Sequence, residues 1–323
     1  MAASGKSSIE LARERRSRDA KIRNAAKGQG TTADLLRKQV AFNLFFQRIF
    51  SQEDSRWTLL GGNALLIRTG YGRFTQDVDL SRDEQWEDLS HVQEELEALL
   101  SAGDRLDDFS FTITKAIAHS EPDNYGYGSK TAKINVRVDF GGKPFDTFSI
   151  DITSRKHITS AVEHIQLKPA LDDQALTDLP AIPTVPAENH LADKICALYE
   201  THQGEKQRPS TRYRDLADMI RFVKDVPLDA AQLILVLKHE QQRRKIQLPT
   251  QLVSPAPSWG KEYPKAARAF AQYPQHLLPL DKALDYAGTC LNEILNNTRT
   301  TGYWNPLHQQ WQPTNQQPET KNH

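Results

Sequence analysis

Two cysteines in 323 residues, Cys196 and Cys290, are too few for a disulfide framework or a cysteine-rich zinc site. Both stand in helical segments and read as small apolar residues of a reducing compartment, so the expected location is cytoplasmic. No apolar run approaches 18 residues, so neither a transmembrane helix nor a membrane partner is expected. Nor does an apolar stretch follow Met1, and no secretory signal is read there. The chain has no net charge, with 41 Lys and Arg against 41 Asp and Glu, and it has no internal repeat. Its ten histidines are scattered without a His-x₃-His pair, and none is given a metal role. What is present, 38% apolar and 25% charged residues, excludes a wholly disordered chain. The length suits one large domain or two ordinary ones.

Charge is uneven along the chain. Residues 1–38 hold ten Lys and Arg against four Asp and Glu. A basic N-terminal arm over 1–30 follows, with little apolar face; it is either solvated or in contact with nucleic-acid phosphates. From Thr31 to Phe50, apolar residues at 35, 36, 40, 42, 44, 45 and 49 follow a helical period, with threonine available as N-cap. RWTLLGGNALLIRTG reads as strand, Gly-Gly turn and helix. TQDVDLS, FSFTITKAIAHS, AKINVRVDF and DTFSIDITS alternate as strands do. TDLPAIPTVP, with three prolines, marks a domain boundary, and the pattern beyond it is helical. The expected class is therefore α+β: a mixed-sheet domain over 31–180, then a helical domain over 187–295. The polar tail over 296–323 is expected to be poorly ordered, with Trp304 and Trp311 available to dock back.

The stretch from Leu60 to Ser81 carries the chemistry. Asp77 and Asp79 are one residue apart in an alternating segment, so both carboxylates fall on one face while Val78 and Leu80 point to the core. Adjacent carboxylates repel, and a hard divalent cation such as Mg²⁺ would neutralise them. Asp151 in FSIDITS or Asp139 in VRVDF offers a third acid; three on neighbouring strands would suit phosphoryl transfer. Gly61, Gly62 and Asn63 lie where a strand turns into a helix, a place where backbone N–H groups attract phosphate.

Further along, the buried stripe of HLADKICALY is Leu191, Ile195 and Leu198, which puts Lys194 at its edge. In TRYRDLADMIRFV the stripe is Tyr213, Leu216, Ile220 and Val223. Asp215 is read at its edge and Asp218 as facing away. Taken alone, Lys194 and Asp215 read as an interhelix salt bridge.

Gly-Gly, a short helix, and Arg73-Phe74-Thr75-x-Asp77-x-Asp79-Leu80 together resemble the first motif of the AbiEii/AbiGii-type nucleotidyltransferase toxins, within the DNA polymerase β-like nucleotidyltransferase superfamily. FSIDITS resembles the second motif, LADKICAL the third and RYRDLADM the fourth, from about Trp57 to Val223. Two positions depart from the pattern: Asn63 stands where relatives often carry Ser or Thr, and Ser149 where they often carry lysine. Arg155 or Lys156 is the candidate substitute for that lysine.

The resemblance implies an enzyme that transfers a nucleoside monophosphate from a nucleoside triphosphate, releasing pyrophosphate. Asp77, Asp79 and Asp151 would hold Mg²⁺, with Mn²⁺ as the other candidate. Gly61, Gly62, Asn63 and Arg73 would contact the nucleotide. Lys194 would neutralise triphosphate charge, and Asp215 would position it. The implied acceptor is RNA, with the 3′ end of transfer RNA foremost; the implied partner is a cognate antitoxin encoded nearby, and the implied outcome is arrested translation and growth. Two other classes stay open: a small-molecule nucleotidyltransferase of the antibiotic-modifying kind, and a non-catalytic nucleotide- or partner-binding member.

Overall fold

The structure is a computed structural model that describes residues 6–52, 55–70, 75–102, 107–119, 130–154, 160–201, 209–270 and 272–314. The chain divides into two compact units. One comprises Met1–Ile67, Phe74–His157 and Val162–Thr184; the other comprises Arg68–Arg73, Ile158–Ala161 and Val185–His323.

In the first unit, helices α1 (Ser8–Gly28) and α2 (Ala33–Ile49) precede β1 (Trp57–Leu60), α3 (Gly61–Thr69), β2 (Asp77–Arg82) and α4 (Leu89–Ser101). Strands β3 (Phe109–His119), β4 (Thr131–Phe140), β5 (Lys143–Thr153), β6 (Glu163–Gln166) and β7 (Ala181–Thr184) follow. The sheet order is β3-β4-β5-β2-β1-β7-β6. It is mixed: β3, β4 and β5 form an antiparallel meander, β5 runs parallel to β2, and β2 runs antiparallel to β1. The observed class is thus the expected mixed-sheet α+β arrangement, followed by a mainly helical region.

Alternation decides which face of the sheet is buried. Ala132, Ile134, Val136, Ile150, Ile152, Val78 and Leu80 are all buried. Against this face α2 supplies Phe42 and Phe45, which meet Phe148 edge-on at ring separations of 5.1 and 5.3 Å. Such aromatic pairs are worth about 0.5–1.5 kcal/mol each beyond their burial. Thr32 caps α2, its side chain accepting from Leu35 N–H at 3.3 Å. Val92, Leu96 and Leu100 give α4 a single buried stripe at helical spacing.

Three regions differ from their sequence readings. The N-terminal arm is a docked helix. Ile22 and Ala26 of α1 are buried. The Arg18 guanidinium lies 4.9 Å from the Phe109 ring centre and 4.4 Å from that of Phe140, and it donates to both oxygens of Asp173 at 3.0 and 3.1 Å. An arginine replaces the apolar face that periodicity would have looked for. Secondly, the proline-rich stretch is not only a connection, because Ala181–Thr184 forms β7. It pairs with β6 along its length but meets β1 only at Leu59↔Thr184, one residue past Pro183. Proline cannot donate to a ladder, so the junction with β1 is confined to the strand end.

The third difference lies in the other unit. It contains α5 (Ala187–Tyr199), α6 (Tyr213–Asp225), α7 (Ala230–Arg244), α8 (Trp259–Ala267) and α9 (Leu280–Leu295). A small sheet is made from β8 (Leu228–Asp229), β9 (Tyr303–Asn305) and β10 (Gln310–Gln312). Residues 303–312 of the polar tail are therefore ordered. Trp304 is completely buried and donates to Val223 O at 2.7 Å. Trp311 donates to Cys290 O at 3.0 Å, and the two indoles meet edge-on at 5.6 Å. Two indoles supply the burial that the surrounding Asn, Gln and Thr cannot. Among the described residues, no helix is long and apolar enough to cross a membrane.

Candidate active site

Sheet register sets the position of the acids. Strand β2 pairs with β5 as Asp77↔Ser149, Val78↔Ile150, Asp79↔Asp151 and Leu80↔Ile152. Paired residues in a parallel ladder share a face, so the buried hydrophobes all point one way and Asp77, Asp79 and Asp151 the other. The three carboxylates are half-buried while their strand neighbours are fully buried. Asp79 and Asp151 are direct neighbours, and Asp77 lies two residues along the same strand face.

Gly61 closes one side of this ledge. Its register neighbour Leu60 pairs with Asp79. The backbone of Gly61 has φ +61°, and a Cβ built there would lie 1.8 Å from Asp79 Oδ2. Only glycine satisfies both the left-handed turn and the approach of the carboxylate. Asn63 makes a contact that the sequence did not suggest. Its side chain is 2% exposed, and Nδ2 donates to the Asp77 carbonyl at 2.8 Å. It ties the first turn of α3 to the strand that carries the acids. Gly62 is buried beside it in the same turn. Arg73 lies outside the described residues, as do Arg155 and Lys156. Among the described residues, the buried Thr75 hydroxyl, two positions before Asp77, has no hydrogen-bond partner.

Asp139 does not join the group. It is buried on β4, paired in register with Pro144 and Ser110, and held by Arg137 Nε at 2.8 Å. The residue of β4 opposite Asp151 is Lys133, six positions earlier and about 20 Å along the strand. Lys133 Nζ lies 3.3 Å from Asp151 Oδ2. Among the described residues, the cation beside the strand acid is thus Lys133, from the neighbouring strand.

The donor set is hard oxygen throughout, which suits Mg²⁺ or Mn²⁺. Asp79 Oδ2 keeps the space that any Cβ at position 61 would fill. Among the described residues no three or more acidic, His or Cys side chains are gathered into a ready ligand cage. The three acids share a face rather than a point. They fit a divalent cation by chemistry and by orientation, with Lys133 offsetting part of their charge.

The second unit holds the other predicted pair. Lys194 of α5 is 5% exposed, and its Nζ donates to Asp215 Oδ1 at 3.1 Å and to Asp218 Oδ2 at 2.7 Å. Burial pushes the ammonium toward neutrality, but the charges and hydrogen bonds of the two aspartates outweigh it and raise its pKa above the ordinary lysine range. Arg212 Nε stands 3.5 Å from Asp215 Oδ2, at the solvent side. Asp218, expected to face away, makes the shorter of the two contacts. Residues three apart on a helix are about 60° apart, so Asp215 and Asp218 share a face. The helical period already contained that signal. Lys133 was the other residue missed.

The family model described as "Nucleotidyl transferase AbiEii toxin, Type IV TA system" matches residues 44–287. Among solved structures, the chain is similar to MenT4, a nucleotidyltransferase toxin of Mycobacterium tuberculosis, with TM-score 0.48 and 18% identity, covering 86% of this chain and 97% of that one. It is also similar to JHP933 of Helicobacter pylori, with TM-score 0.44 and 13% identity, covering 81% and 92%. No curated protein sequence matches.

Proposed function

Because the chain belongs to the AbiEii family of nucleotidyltransferase toxins of type IV toxin–antitoxin systems, we propose that it transfers a nucleoside monophosphate from a nucleoside triphosphate to the 3′ end of a transfer RNA. The observation that supports this most is the β2–β5 register, with Asp79 opposite Asp151 and Asp77 on the same face. In this reading Asp77, Asp79 and Asp151 hold Mg²⁺ or Mn²⁺. Bound there, the ion would neutralise the carboxylates and polarise the phosphoryl oxygens.

Asp151 takes the proton of the attacking RNA hydroxyl. The hydroxyl oxygen then bonds to the α-phosphorus as the bond to the pyrophosphate oxygen breaks. Gly61 and Gly62 offer backbone N–H groups at the start of α3 to the β- and γ-phosphates. Lys194 answers triphosphate charge and is held in position by Asp215, with Asp218 as its second anchor. A cognate antitoxin follows from the family's system type, and translation and growth are what the toxin arrests.

The test is incubation of the protein with each α-labelled nucleoside triphosphate, total RNA and Mg²⁺. Label is expected on transfer RNA and absent with Asp79→Asn, a fall of at least about 10³-fold, or ~4 kcal/mol in the barrier. Label on a small hydroxylated cation, with none on any RNA, would replace the acceptor reading with the antibiotic-modifying one.

A further inference from the structure

Helix α1 has two faces that treat basic residues differently. On the docked face Arg18 is bound to Asp173, Arg15 donates to Pro144 O, and Lys6 at the entry to the helix pairs with Asp108 at 2.8 Å. Four further cations, Arg13, Arg16, Arg23 and Lys27, are exposed. At ~100° per residue these four fall within an arc of about 80° on the side away from Leu11, Ile22 and Ala26. No acidic residue falls in that arc. The helix's three acids, Glu10, Glu14 and Asp19, sit on its flanks. Among the described residues, none of the four side chains makes a hydrogen bond or an ion pair. They run about 21 Å along the helix, from Arg13 to Lys27.

The rest of the chain makes this stripe distinctive. Beyond Lys38 the chain has 31 Lys and Arg against 37 Asp and Glu, from 41 less ten and 41 less four, so a polyanion meets net repulsion there. Where Arg15 anchors it, α1 lies away from the acids of its own unit. The α1 contact at Pro144 and Asp151 are seven residues apart on β5, about 23 Å. A small acceptor reacting beside Asp151 is out of reach of that contact, whereas a nucleic-acid strand rising ~3.4 Å per nucleotide crosses the interval in about seven.

We infer that the solvent face of α1, formed by Arg13, Arg16, Arg23 and Lys27, is a docking surface for the phosphate backbone of the RNA acceptor. This rests on the acceptor reading above and adds to it where the body of the RNA is held. The contacts are to phosphates, so they add affinity without reading sequence. The docked face holds the helix that presents the stripe: Arg18 lies over the adjoining rings of Phe109 and Phe140 and is bound to Asp173.

The experiment measures binding of fluorescein-labelled bulk transfer RNA to the full chain between 50 and 200 mM salt, for wild type and for a variant carrying Arg13→Gln, Arg16→Gln, Arg23→Gln and Lys27→Gln. Each phosphate contact adds ~0.7–0.9 to the slope of log affinity against log salt, so the variant should lose about 3 from that slope. Its affinity at low salt should fall on the order of 10- to 100-fold, with its thermal midpoint and nucleoside triphosphate affinity unchanged. The half variants, Arg13→Gln with Arg16→Gln and Arg23→Gln with Lys27→Gln, should each lose about half of that slope. If wild type labels RNA while the folded variants keep its affinity and slope, the stripe is only a solvated face and the acceptor reading survives. If wild type neither binds nor labels any RNA, the acceptor reading fails and takes the inference with it. Loss of binding to phosphatidylserine vesicles, with RNA binding intact, would also overturn it.

Discussion

On the sheet, Lys133 meets Asp151 at 3.3 Å with side chains 42% and 37% exposed; between α5 and α6, Lys194 meets Asp215 and Asp218 at 3.1 and 2.7 Å with all three buried. On the sheet Lys133 meets Asp151, one of three carboxylates on an open face. The helical unit sets one lysine against two in its interior. Burial makes the difference physical. A buried charge deprived of its partner has no water to turn to, so Lys194 can give up an aspartate only for another anion, such as a phosphate. Half-exposed carboxylates keep their hydration and can exchange one cation for another. Similar side chains therefore make an internal fastening in one unit and an open ledge in the other.

The strongest way to break this comparison is at Lys194. Lys194→Met leaves two buried carboxylates without their cation and should cost about 3–5 kcal/mol of stability, measured by urea unfolding. Adding Asp215→Asn and Asp218→Asn to it should recover most of the loss. The pH sign is fixed by the raised lysine pKa: the stabilisation is fully present below the unfolded value, 10.5, and is lost only as pH rises through the folded one. The gap between wild type and Lys194→Met should thus stay constant from neutral pH to about 10.5. A gap that closes by pH 8 would show that the triad's charge is not what holds it.

A smaller effect is expected at Gly61. The φ of +61° alone costs an L-residue about 1–2 kcal/mol. Gly61→Ala should lower stability by about that amount and also push the Asp79 carboxylate aside. Transfer should then fall far more than unfolding stability does. Equal losses in the two would mean that Asp79 is not displaced. The smallest effect is expected at Lys133. Its exposed pair is worth about 0.2–1 kcal/mol, so Lys133→Met should leave the urea midpoint nearly unchanged. A loss above 2 kcal/mol there would erase the contrast between the two lysines.

Much of this was legible in the chain. Alternation placed Asp77 and Asp79 on one face, and the helical period found α2, α5 and α6. Register was the harder quantity. Gly141 and Gly142, with φ of +54° and +73°, form a two-residue hairpin turn that pairs Phe140 with Lys143. Counting outward from that turn sets Ala132 against Asp151. The observed partner is Lys133, because β5 takes up one extra residue, Phe145, between Pro144, which pairs with Asp139, and Asp146, which pairs with Val138. A single bulge thus exchanges a buried alanine for a lysine beside the candidate site, and nothing in the local alternation announces it. The docking of α1 was hidden for another reason: its anchor is an arginine, which periodicity counts as solvent-facing. Asp218 was readable from helical geometry alone.

Gly61 has one more consequence, at the level of the gene. Every glycine codon begins with two guanines, and any single-base change in either of them yields a stop or a residue that bears a Cβ. At position 61 that atom lands on an oxygen of Asp79. A toxin gene therefore carries, at this one codon, two nucleotides where any change is expected to disarm its product. A population growing under an unrestrained toxin would be the place to look for survivors altered there.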